Sequence, residues 1–378
     1  MRYTTLSGIA ALATIVVNGV GAVPAVAGGS GIPVACDTTA LTTAIATAPT
    51  GSTLVLARHC TYHLTSAYAG QDGLPPVDRQ LTIEGQDATI VRDGATAAAF
   101  RIFHVTATGD LRLDCVTVRG GNAVDDGGGI LVDSSGKLQL NKVTLDNNHA
   151  NNNGGGVNVK PGATAYITRS EFTFNNAGNT GGGLQSDGTV TTDGVEFDRN
   201  LARSFGGAID HDAGDSVHRN TTLKNNATGT EGGAIDIDGG TVQFIDSKII
   251  NNTTTGSDGG GIWNGASLTL TRTEVSGNVA GDANGAGGGI WNTGTLVLRD
   301  SSVERNSANG GGSSQGGGIY SAGGAVTLDH SRVNYNASTT APGGVYTGTQ
   351  FTVNQSEIRH NIPTNCDGSP VIVTGCVG

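Results

Sequence analysis

A Gly-Gly-[Gly/Ala]-aliphatic signature recurs along the chain with its aliphatic residue at Ile130, Val157, Leu184, Ile209, Ile235, Ile262, Ile290 and Ile319, and a two-glycine version ends in Val345. The steps are 27, 27, 25, 26, 27, 28, 29 and 26 residues. Each mark is followed 16 to 18 residues later by an Asn: Asn148, Asn175, Asn200, Asn226, Asn252, Asn278, Asn306, Asn336 and Asn361. Between the two lie short alternating segments such as Leu138-Gln139-Leu140 and Leu268-Thr269-Leu270, with no helical period. A unit of about 26 residues cannot bury its apolar side chains alone, whereas stacked units bury a continuous column. The expected fold is therefore all-β, a single-stranded right-handed parallel β-helix with coils ~4.8 Å apart and equivalent residues above one another. Stacked Asn amides would donate and accept along the column, and Asn also tolerates the left-handed turn expected at such a corner.

Composition supports a solenoid and removes competitors. The chain has 62 Gly in 378 residues, yet no Gly-X-Y period, so collagen is out. Aromatic residues at 4% and charged residues at 14% are too few for a large conventional core or for a solvated disordered chain. Propeller blades are longer than these units, leucine-rich repeats need a different spacing, and a nonapeptide calcium roll needs a nine-residue period. With 21 Lys plus Arg against 32 Asp plus Glu, the net charge of -11 excludes nucleic acid as a partner.

The ends read differently from the middle. Residues 4 to 27 carry no charge, and Ala25-Val26-Ala27 forms an A-x-A pattern, so residues 1–27 read as a secretory signal and the protein as secreted and extracellular. Asn18, Pro24 and several glycines interrupt that stretch before it could span a membrane, and no second apolar segment follows, so no transmembrane segment is expected in the mature chain. Residues 28–104 read as an amino-terminal cap with leading coils, 105–361 as the repeat helix and 362–378 as a carboxy-terminal cap. Asp37 is placed to cap a short helix over residues 38–48 that covers the open end, with Leu41, Ala44, Ile45 and Ala48 on one face. Cys36 with Cys60, and Cys366 with Cys376, would staple the two ends; Cys115 is left over.

The Gly-Gly-Ala-Ile segments at 206–209 and 232–235, each with an Asn at the far end of its coil, resemble the polymorphic outer-membrane protein repeat family. The stretch containing Cys36, Leu54-Val55-Leu56-Ala57, Cys60-Thr61-Tyr62 and Leu81-Thr82-Ile83-Glu84-Gly85 looks like secreted bacterial β-helix proteins that carry such repeats. The resemblance implies a surface or secreted, adhesive role. A looser similarity, of coil geometry, is to the pectate-lyase and polygalacturonase group; Asp125-Asp126 lacks the context of its catalytic motifs, so no residue is carried over from it.

Because strand side chains alternate, the residue after each inward aliphatic should face outward: Leu131, Asn158, Gln185, Asp210, Asp236, Trp263, Trp291, Tyr320 and Tyr346. A neighbouring outward column runs Asp133, Lys160, Asp187, Asp212 and Asp238. The carboxylates Asp187, Asp210, Asp212, Asp236 and Asp238 would stand about 5 Å apart between coils and need compensation by a shared proton or a cation such as calcium, although no cofactor is required. Exposed carboxylates on an acidic chain equally need no role beyond solvation. Acid–base catalysis would use Asp210, Asp212, Asp236 and Asp238, with His211 as proton carrier unless it faces the core. Trp263, Trp291, Tyr320 and Tyr346, with Gln185 and Asn158, suit an extracellular polysaccharide or cell-surface glycan, although stacked rings also brace coils without a ligand. Two functions follow, non-enzymatic glycan binding and, as the alternative, a polysaccharide lyase or glycoside hydrolase. Oligomeric state is not readable from the residues.

Overall fold

The computed structural model describes residues 31–93, 98–281 and 284–377; the proposed signal lies outside them. From Ile32 onward the chain winds as a parallel β-helix, the architecture the repeat predicts. One coil shows the logic. Ile209–His211 forms a three-residue strand, and Asp215–Arg219 follows after a tight turn. Asn220 takes a positive φ of 48° to bend the chain into Thr222–Lys224, and Asn225, at 55°, bends it again toward Ala227–Thr228. A short loop then returns the chain to Gly232, which opens the next coil with φ 64°.

In the repeat coils from Ile130 the strands pair coil on coil without slippage, whereas a bulge between Glu84 and Ala88 shifts the register in the leading coils. Ile209 lies beside Ile235, Ile235 beside Ile262 and Ile262 beside Ile290, so the signature aliphatics form one buried column inside the helix. Phe172 and Phe197 stack in the same core at 4.5 Å between ring centroids. Gly206 shows why the corner needs glycine: its φ is 59°, and a Cβ there would lie 2.1 Å from the Ile209 carbonyl oxygen.

The Asn column stands where the period places it, with one difference. Asn148 through Asn361 are buried, and from Asn175 onward each side-chain oxygen accepts from the backbone N–H and the side-chain amide of the Asn one coil earlier, while Asn148 Oδ1 accepts from the Gly121 N–H; Asn175 and Asn200 give 3.0 Å for both bonds. The left-handed residue is not this Asn but the one before it, as at Asn147, Phe174, Arg199, Asn225, Asn251, Arg305, Tyr335 and His360. That preceding residue absorbs the bend, which leaves the ladder Asn free to turn its amide inward.

Both ends are closed. Asp37 accepts from the Ala40 N–H at 2.8 Å and starts the helix Thr38–Thr47, whose Leu41 and Ile45 are buried against the first strands. Arg79 Nε donates to the Ala48 carbonyl at 2.8 Å and satisfies the helix's far end. Disulfides join Cys36 to Cys60 and Cys366 to Cys376, and Cys115 is a free thiol. No helix among the described residues is long and apolar enough to cross a membrane.

Candidate functional site

The outward stripe exists as one register column, and it starts one coil earlier than the signature shows. Phe103–Val105 pairs with Ile130–Val132, placing His104 beside Leu131. From there the column runs through Asn158, Gln185, Asp210, Asp236, Trp263, Trp291, Tyr320 and Tyr346. Nine coil steps of ~4.8 Å give it a length of about 43 Å. Its first member was hidden because no glycine run precedes Phe103; the 27-residue step from Phe103 to Ile130 is the signal that reveals it.

Facing outward does not leave the column open. Leu131, Asn158, Gln185, Asp210 and Asp236 are each 8% exposed or less. The loop entering each glycine corner folds back beside them, and this wall is itself hydrogen-bonded from coil to coil: Gly154 N–H to Thr180 O, Gly181 to Phe205, Gly206 to Glu231, each at 2.9 to 3.1 Å. Thr180 reaches from the wall to hydrogen-bond the Asp210 carboxyl. The expectation of freely solvated carboxylates therefore fails for Asp210 and Asp236, at 2% exposure each, while Asp212 and Asp238 on the other flank are exposed and Asp187 is half-buried.

Burial and like charge set the chemistry of this segment. Burial, then the neighbouring Asp212 charge, hold the Asp210 carboxyl well above the usual range, and burial with the charge of Asp210 does the same to Asp236. Asp212 is pushed up to about 6 by desolvation and by the neighbouring Asp187 charge; it accepts from Gln185 Nε2 at 3.1 Å. Asp238 is raised by burial, as is Glu231 on the wall, which also feels Asp258 and Asp238. Asp236 Oδ1 and Asn158 Oδ1 are buried without a hydrogen-bond partner among the described residues. Lys160 does not reach the acids at the centre, because Asp126 holds its Nζ at 2.5 Å.

Two sequence-level roles change. His211 alternates into the core, 1% exposed, where its ring nitrogens meet the Gly214 carbonyl and Ser216 Oγ, both at 3.2 Å; burial lowers its pKa. It faces the interior, not the carboxylates, and is no proton carrier for them. The aromatic residues do not present flat faces outward either. Trp263 and Trp291 stack on each other at 5.0 Å, Trp291 and Tyr320 at 6.5 Å, and Tyr320 and Tyr346 at 4.4 Å, with interplanar angles of 13°, 7° and 2°. Their faces are spent on one another along the helix axis, leaving a half-buried ridge of ring edges.

The amino-terminal end of the column carries a group that the residue pattern did not reveal. His104 Nδ1 meets Asp72 and its Nε2 meets Asp133, each at 2.9 Å, which raises its pKa, the Asp72 hydrogen bond contributing most. Buried Arg101 pairs with Asp72 and Asp125 beside it. This end pairs its carboxylates with Arg101 and His104, the middle is acidic and the far end is aromatic. Among the described residues no group of three or more His, Cys, Asp or Glu side chains is arranged to hold a metal ion, which leaves the calcium set of Asp187, Asp210, Asp212, Asp236 and Asp238 without that support.

No curated protein matches the chain in sequence. Residues 101–278 match the family model described as "Right handed beta helix region", a span that holds the stripe from Arg101 and His104 through Trp263. Coil register and family model agree: this chain folds as a right-handed parallel β-helix, and its central coils are similar in sequence to that β-helix family.

Proposed function

We propose that the protein is a secreted, non-enzymatic binder of an extracellular polysaccharide or cell-surface glycan, and that the accessible part of the stripe, the ridge from Trp263 to Tyr346 with Asp212 and Asp238 on the preceding coils, is its track. The observation that carries this reading is the rigid four-ring ridge, in one register column, on the coils that follow those of exposed Asp212 and Asp238. A linear polymer needs a linear site, and a sugar chain needs apolar ridges for its C–H faces with polar groups for its hydroxyls. Two disulfides fit an oxidising compartment, and the β-helix region matched at 101–278 fits a carbohydrate-related extracellular protein. Burial of Asp210 and Asp236 argues against catalysis by those two, since a reacting sugar must touch its acid and base.

One observation favours hydrolysis as a second reading: exposed Asp212 is pushed up to about 6 by desolvation and the neighbouring Asp187 charge, in the range of a general acid. One experiment separates the two. The purified protein is incubated with insoluble polysaccharides and soluble oligosaccharides, and both retention and new reducing ends are measured. Retention without product, lost in Trp291→Ala, supports binding. Product that disappears in Asp212→Asn establishes the hydrolase instead, and neither retention nor product overturns both.

A further inference from the structure

The face built from the longer strands carries a concavity of its own, away from the stripe. A cavity of about 220 Å³ is lined by Arg112, Gln139, Asn141, Tyr166, Thr168 and Arg169. Gln139 lies in register between Arg112 and Tyr166, and Asn141 beside Thr168, so strand alternation brings these side chains to one outer face from successive coils. The Tyr166 ring is 51% exposed and stacks on no other ring among the described residues, which leaves its face open.

Arg169 is the unmatched charge of this cavity. Its Nε and Nη2 donate to Asn141 Oδ1 at 3.1 and 2.6 Å, Thr168 Oγ1 donates to the same oxygen at 3.1 Å, and Asn141 Nδ2 is anchored on Asp114 Oδ1 at 2.9 Å. Neutral groups thus fix the guanidinium, which forms no ion pair among the described residues. Asp114 is already engaged by Arg112 Nη2 at 3.4 Å and Cys115 Sγ at 3.2 Å.

A second, independent observation comes from the same turn further along the helix. Arg272 has the register position of Arg169 and the same φ of 47°. Its fork is filled: Asp246, at the turn one coil earlier, accepts from Nε at 2.6 Å and from Nη2 at 2.8 Å. One coil before Arg169 that turn position holds Lys142, a like charge where the other turn has its carboxylate. An anion that the chain supplies to Arg272 is therefore missing at Arg169.

Two guanidinium groups, an open phenol ring and the amides of Gln139 and Asn141 suit a hydroxylated ring that bears a negative group. The net charge of -11 disfavours a densely charged polyphosphate, whereas a single acid group is drawn in by the local positive charge. We propose that this cavity binds an acidic sugar unit through its carboxylate or sulfate group, at a site separate from the aromatic ridge and not dependent on it.

The test measures, by calorimetry at pH 7, the binding of three oligosaccharides of equal length: one uronate, one sulfated and one neutral. The proteins are the wild type, Arg169→Gln, Lys142→Asp, Tyr166→Ala and Trp291→Ala, each shown to be folded by circular dichroism. The expected result is binding of an acidic oligomer roughly tenfold or more tighter than of the neutral one, and weaker in raised salt. Arg169→Gln and Tyr166→Ala should weaken it roughly fivefold or more, as should Lys142→Asp, whose new carboxylate pairs with Arg169 as Asp246 does with Arg272. Trp291→Ala should leave it unchanged. The uronate and sulfated arms tell which acid group the cavity takes. Equal affinity for all three oligomers, or acidic binding that Arg169→Gln and Lys142→Asp leave intact, overturns the assignment. Acidic binding lost in Trp291→Ala alone also overturns it, while leaving glycan binding by the ridge standing.

Discussion

The backbone N–H and the side-chain amide of Asn200 both donate to Asn226 Oδ1, at 2.9 and 3.0 Å. Asn226 in turn donates to the Phe197 carbonyl and to Asn252 Oδ1, so its amide is fully used inside a dry corner. Asn226→Ala strands two donors of Asn200 and removes the amide that donates to the Phe197 carbonyl, while Asn252 Oδ1 keeps the bond from the backbone N–H of residue 226. The expected loss is about 3–5 kcal/mol, from roughly 1–3 kcal/mol for each buried group left unpaired. A urea melt checks it; a midpoint unchanged from wild type would show that the ladder is ornamental.

The acidic segment predicts a specific pH dependence. Asp210, Asp212 and Asp236 hold their protons more tightly folded than unfolded, so the stability they confer is complete below about 3.8 and is lost as pH rises, through about 6 for Asp212. Asp236→Asn removes one of the buried charges. The thermal midpoint of this variant should exceed that of wild type at pH 7.5, and the gap should close by pH 4. A variant less stable at both pH values contradicts the assignment of repulsion.

A polar patch in the core should show the opposite sign. His218 is fully buried, stacked on Phe244 at 4.6 Å and hydrogen-bonded to Thr192 Oγ1 at 2.9 Å, with its Nε2 unpartnered. Burial pushes its pKa down to about 3 from 6.5. The stability it allows is therefore present above 6.5 and is lost as pH falls below that value. His218→Leu matches the apolar residues at Leu140, Leu270 and Leu298 in the same column, and should gain about 1–3 kcal/mol by deleting an unsatisfied group. Denaturant midpoints at pH 7 and pH 5 should show the variant losing less on acidification.

At the other end of the stripe, His104 is held between the carboxylates of Asp72 and Asp133. Its pKa is raised, so the interaction stabilises the fold below 6.5 and fades as pH climbs through the raised value. An NMR titration of the His104 ring should give a midpoint above 6.5 in wild type and a lower one in Asp72→Asn. An identical midpoint in both would mean that Asp72 does not set the charge.

How much of this was legible in the residues follows from what repetition encodes. Ile130 to Val345 and Asn148 to Asn361 fixed the coil, its register and both faces of the strand, because a period in sequence becomes a column in space. The Asp37 cap and the cysteine pairing were readable from local chemistry. Three things were not. The burial of Asp210 depends on a wall built from the irregular loop through Thr180, where spacing varies and no pattern marks the fold-back. The edge-on setting of Trp263 depends on ring torsions that strand alternation does not determine. The clamp on His104 joins Asp72, 32 residues before it, to Asp133, 29 residues after it, and the coils of Asp72 and His104 lack the glycine mark.

Amide hydrogen exchange with and without a neutral oligosaccharide of a polysaccharide that retains the protein tests the ligand track most directly. Added protection should be confined to 209–212, 235–238, 262–265, 290–292 and 319–321, the strands and turns under the stripe. Protection on the long-strand face instead, around Tyr166 and Gln243, or none anywhere on the coils, would contradict it.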